Sequence, residues 1–182
     1  MMLRRLPLFV SLSISFFLLS AHTAAGTGQP SLKLGDSLPP LAGQALAGKW
    51  LDVGSVAGSS PAVVVFSFSR AGGRDAQRWI ERLTKDNPQL AIYTAIFLEA
   101  VPGLFRGMAV SGIKDGMPAA LQGRTLLMYR DEDLWRQRLQ VANERQACVV
   151  LQGPTGRIQW MGAGPFSEGL YSDFSKSIRG LK

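Results

Sequence analysis

The sequence predicts an α/β protein with a central mixed sheet flanked by helices, and three observations carry that expectation. Residues 62–68 (AVVVFSF) form a nearly continuous apolar run with three consecutive valines, the pattern of a strand buried on both faces. Segments of strand-like and helix-like periodicity then alternate along the chain, which favours parallel strands joined by helices. Near the C-terminal end, two apolar runs flank Gly153-Pro154-Thr155-Gly156 and precede an amphipathic segment, so a hairpin and a covering helix close the sheet.

Taken in order, residues 26–40 are rich in Gly, Ser and Pro and predict a lead-in, flexible over 26–33, ahead of a domain spanning 34–182. Residues 43–53 alternate loosely around Gly48-Lys49 and predict a small hairpin at the domain edge. After the strand 62–68, the small and polar stretch 69–73 predicts a turn. A helix follows over 74–86, with Ala76, Trp79, Ile80 and Leu83 on one face, and Asn87-Pro88 stops it. Residues 90–97 (LAIYTAIF) read as a second buried strand; a full helix between two such strands implies a right-handed parallel crossover. Residues 104–114 read as a helix weakened by Gly107 and Gly112. A third strand covers 125–129. The next helix, 131–140, opens with Asp131, Glu132 and Asp133, where the helix dipole favours acids. Strands over 147–152 and 157–161 form the hairpin, and the last helix, 167–179, places Leu170, Phe174 and Ile178 at four-residue spacing.

The first 25 residues stand apart from this core. Arg4 and Arg5 precede the apolar run 6–19, and small residues follow over 20–26, the arrangement of a secretory signal peptide. The alternative is an uncleaved inner-membrane anchor, but the run is short for a span and is diluted by Pro7, Ser11, Ser13 and Ser15. Export, most simply to a periplasm, is therefore expected. The single histidine, His22, falls in the segment to be removed, and the single cysteine is Cys148. A mature chain of this composition holds no histidine for a nucleophile dyad or a metal site, and no intramolecular disulfide. Of the formal charge of +7, Arg4 and Arg5 contribute two, leaving +5. That excess is scattered, which points to an anionic partner or peripheral contact with an anionic membrane surface, and not to nucleic acid.

Several local patterns carry a family resemblance. Gly35-Asp36-x-Leu38-Pro39 with Leu46-x-Gly48-Lys49, and Val150-Leu151-x-x-x-x-Gly156-Arg157-Ile158, resemble the thioredoxin-like superfamily. The exported redoxins and peroxiredoxins, with an extra helix and strand in mid-chain, are the branch concerned, over about residues 34–179. In that family a reactive cysteine, or a pair, sits at the turn after the first central strand. The matching positions here are Ala71 and Arg74, neither of them a nucleophile. The family's cis-proline position falls at Ala147, beside Cys148. Phe66-Ser67-Phe68-Ser69 followed by Trp79, Pro102-x-x-x-Arg106, and Gly156-Arg157-Ile158-Gln159-Trp160-x-Gly162-x-Gly164 are similar to the mitochondrial ATP synthase assembly factor ten family and its bacterial relatives. That resemblance implies a chaperone for a membrane-embedded subunit of the ATP synthase, with no cofactor.

Candidate sites are few. Ser69, Arg70 and Arg74 surround the glycine amides of Gly72 and Gly73, an arrangement able to hold a carboxylate or phosphate, or equally a plain turn with two solvated arginines. Gly162-x-Gly164 follows a hairpin strand and is no nucleotide fingerprint. Cys148 lies in ACVVL, the setting of a small buried hydrophobe; an exported thiol enzyme using it is the alternative function. Trp160, with Phe166 and Tyr171, either offers an aromatic patch to a partner or packs under the last helix. Asp75 is expected to meet its own helix amides, and Trp79 and Trp135 to be core. No metal site is expected, and the chain reads as a redox-inactive exported assembly factor or chaperone.

Overall fold

In the computed structural model the described residues are 31–54 and 60–181. The signal segment expected over 1–25, most of the expected lead-in, and residues 55–59 of the loop before the first central strand lie outside them. At its described end the lead-in is tied down: Leu32 is buried, and its N–H donates to the Arg138 carbonyl at 2.8 Å.

Seven strands form one mixed sheet: β1 (Ala42–Ala45), β2 (Trp50–Asp52), β3 (Ala62–Ser67), β4 (Ala91–Phe97), β5 (Thr125–Met128), β6 (Cys148–Gln152) and β7 (Ile158–Ala163), in the order β2-β1-β5-β4-β3-β6-β7. β3 is central. It runs parallel to β4 and antiparallel to β6, and all six of its residues are buried, which is why its sequence is apolar without alternation. β4 pairs in parallel with β5, and the hairpins β1–β2 and β6–β7 flank this core as the sequence predicts. Gly156, at φ +73, occupies the turn of the second hairpin, a conformation open to glycine at little cost.

The helices are α1 (Arg70–Asp86), α2 (Gly103–Gly116), α3 (Ala119–Gln122), α4 (Glu132–Arg138) and α5 (Glu168–Arg179). On one sheet face Val64, Phe66, Tyr93, Ala95, Leu126 and Cys148 meet Trp135 and Leu139, with Phe66 and Trp135 stacked at 5.3 Å. On the other, Val63, Val65, Ile92, Val149 and Leu151 lie under Trp79, Ile80 and Leu83 of α1 and under Tyr171 and Phe174 of α5. Each such large side chain removed from water contributes about 1.5–3 kcal/mol.

Three elements depart from expectation. α1 begins at Arg70, not Arg74, so the stretch expected as a turn is the first helical turn. Ser69 in extended conformation caps it, its Oγ accepting the Gly72 N–H at 3.0 Å, which offsets the poor helix propensity of two glycines. α4 is shorter than the expected 131–140. Asp131 stands outside it at φ 66, and Gln140 at φ 52 ends it in a Schellman arrangement, with Val141 N–H donating to Arg136 O and Gln140 N–H to Gln137 O. The single turn α3 has no periodic signal. No helix among the described residues is long and apolar enough to cross a membrane.

Candidate functional site

At the carboxyl end of β3, the expected site residues Ser69, Arg70 and Arg74 come together around the first turn of α1. The Ser69 hydroxyl donates to the Glu144 carbonyl at 2.7 Å while its oxygen accepts the Gly72 N–H. The Gly73 N–H donates to the Ser69 carbonyl at 2.8 Å. Both glycine amides that could have received an anion are therefore used inside the fold. Gly72 is where the loop before β6 crosses the helix: a Cβ there would lie 2.6 Å from the Glu144 carbonyl oxygen, so only glycine fits without a shift.

One turn on, Asp75 corrects the expectation that it meets its own helix. Its side chain is buried; Oδ2 accepts the N–H of Ala147 at 3.0 Å and Oδ1 that of Phe166 at 2.9 Å. A single carboxylate thus ties α1 to the start of β6 and to the segment entering α5. The Ala147 N–H makes a bond that proline could not, since proline has no N–H. Arg70 and Arg74 remain exposed, with no ion pair among the described residues.

Cys148 opens β6, opposite Phe66 in register, and is 2% exposed. Burial pushes its thiol up to about 12, far from the range in which a thiolate forms at neutral pH. A cavity of about 80 Å³ beside it, lined by residues that include Gln146, Ala147 and Gly164, has the volume of a few waters. Among the described residues no cluster of His, Cys, Asp or Glu could hold a metal ion.

Trp160 does not join Ser69 and the arginines. It is half-buried and turns inward, with ring centroids 6.0 Å from Trp79 and 5.4 Å from Phe174. The outward aromatic patch is replaced by an aromatic cluster under α5, because Trp160 and Trp79 face each other across the sheet–helix interface. Trp79 also meets Phe166 edge-on at 5.3 Å. Sequence reasoning did not name Glu144 and did not join Asp75 to Ala147, because these contacts span about seventy residues and leave no local pattern.

No protein-family model matches the chain, and no curated protein matches its sequence. Solved structures do match its shape. A Chlorobium tepidum protein described as a thiol:disulfide interchange protein DsbE superposes with a TM-score of 0.61 at 12% identity, over 83% of this chain and 99% of that one. The thioredoxin domain of the thiol-disulfide oxidoreductase BVU-2223 from Bacteroides vulgatus gives 0.55 at 15%, over 84% and 100%. BsSco, of the Sco family of cytochrome c oxidase assembly proteins, gives 0.56 at 13%, over 85% and 99%. The fold is thioredoxin-like, with the mid-chain helix and strand that the resemblance implies appearing as α2 and β5.

Proposed function

We propose that this chain is an exported assembly factor or chaperone that works without thiol chemistry and binds a subunit of a membrane complex, in the manner of the ATP synthase assembly factor ten family. The observation that carries the reading is the corner at the start of α1. Where the fold family places a reactive sulfur, this chain has Ala71 and Arg74, and the bonds Ser69–Glu144 and Asp75–Ala147 close the loop over the helix. The only cysteine of the chain is buried in β6 with its thiol held protonated. A thiol-dependent function would need that sulfur exposed beside a base, and the described residues contain no histidine. The presence of an assembly protein, BsSco, on the same fold supports a binding role by analogy only.

Export, periplasmic residence and the client belong to this proposal. Arg70 and Arg74 are exposed at this corner, as are Glu144 and Arg145 of the loop that covers it. Purification of the protein from detergent-solubilised membranes, with identification of what accompanies it, tests the reading. A membrane-embedded ATP synthase subunit should be recovered. Recovery of no membrane-complex subunit would overturn the proposal.

A further inference from the structure

The outer surfaces of α1 and α2 carry two unpartnered features side by side. β3, β4 and β5 are parallel and step in one direction across the sheet, so right-handed crossovers put α1 and α2 on the same face. The packing agrees with this. Val63 pairs with Ile92 and Ile96 with Leu127 in register, the first pair lying under α1 and the second beside Val110 and Ile113 of α2. Both helices run opposite to the strands, so their first turns sit at one end of the sheet.

On α2 the inward positions are Val110 and Ile113, joined by Met117 just past its end, and no residue of the helix is buried. The opposite side presents Leu104, Phe105 and Met108, which are 88%, 52% and 74% exposed. On α1 the side away from the core presents Arg70, Arg74 and Arg78 at four-residue spacing, all exposed and without an ion pair among the described residues. No acid stands in the first turn of α1 to balance them. Arg70 stands in the first turn, where a cation opposes the helix dipole and a nearby anion is favoured. Glu81, three residues after Arg78, is the acid of this side and accepts from Gln77, and Glu144 near the first turn is paired with Arg136 at 3.2 Å.

We propose that these two helix faces form one docking surface for a bilayer containing anionic phospholipid. Leu104, Phe105 and Met108 enter the headgroup boundary, and Arg70, Arg74 and Arg78 meet the phosphates. Apolar side chains beside a basic row on exposed helices are what an anionic interface binds, and the charge of +7 on the whole chain has the complementary sign. The inference goes beyond the assembly reading because it concerns lipid and not client. Vesicles contain no client, so the two can fail separately.

The test is co-sedimentation of the chain, as isolated from the cell, with phosphatidylcholine vesicles and with vesicles also containing phosphatidylglycerol. The anionic vesicles should carry down the protein and the neutral ones should not. Replacing all three arginines by glutamine should lower the anionic partition by roughly a hundredfold, about fivefold for each. Leu104→Ser with Met108→Ser should lower it by roughly tenfold. Leu34→Ser, an exposed leucine beside β7, should change nothing, and unchanged thermal melting would show that the surface variants fold. The N-terminal segment is common to every variant, so differences between them report on the α1–α2 face. A wild type that stays in the supernatant, variants that sediment as it does, or capture of acidic protein without vesicle binding would each overturn the proposal.

Discussion

The Asp75 carboxylate and the Ala147 N–H meet at 3.0 Å across 72 residues of sequence, and the same carboxylate holds Phe166. Removing it leaves two N–H groups without their acceptor, each costing about 1–3 kcal/mol where it stays buried. Asp75→Ala should therefore lower unfolding stability by roughly 2–6 kcal/mol in urea titration. Asp75→Asn, which keeps one acceptor, should lose less.

Gly72 and Gly73 are adjacent and should respond in opposite directions. At Gly72 a methyl group meets the Glu144 carbonyl at 2.6 Å, and Gly72→Ala should cost about 1–3 kcal/mol by displacing the loop. At Gly73 nothing lies within 4 Å of the added carbon. Gly73→Ala should stabilise the helix by about 0.5–1 kcal/mol, read in the same titrations.

Glu132 gives a pH dependence. Burial, only partly countered by Arg136, holds its carboxyl above the usual glutamate range. The folded chain then binds this proton more tightly than the unfolded chain, so its contribution is fully present in acid and is lost as pH rises through the folded pKa. Glu132→Gln should raise the melting temperature at neutral pH, and the gain should vanish below the ordinary glutamate pKa.

Much of the fold was legible because it is written locally. The valine run that became β3, the Leu170, Phe174 and Ile178 spacing of α5, and the Gly153–Gly156 turn each record their own environment over a few residues. The start of α1 was not legible, because Ala71-Gly72-Gly73 reads as a turn until Glu144 is known to press against Gly72. Gln140 hides the end of α4, since a left-handed residue there is ordinarily glycine. At the site, that Ala71 and Arg74 carry no thiol could be read directly, whereas the bonds of Ser69 and Asp75 could not. Trp160 was ambiguous by sequence because a half-buried strand tryptophan suits a partner or a covering helix equally; Trp79 and Phe174 decide it.

The thiol itself has a direct expectation. With Cys148 at 2% exposure and its pKa raised to about 12, a disulfide reagent should react with the unfolded chain and not measurably with the folded one at neutral pH.

Assembly without thiol chemistry is tested most directly by the amount of intact ATP synthase on native gels from cells lacking this protein, with wild type or Cys148→Ala restored. Assembled complex should be lost without the protein, and both forms should restore it equally. Unchanged assembly without the protein, or repair by the wild type alone when the variant is equally abundant and folded, would contradict it.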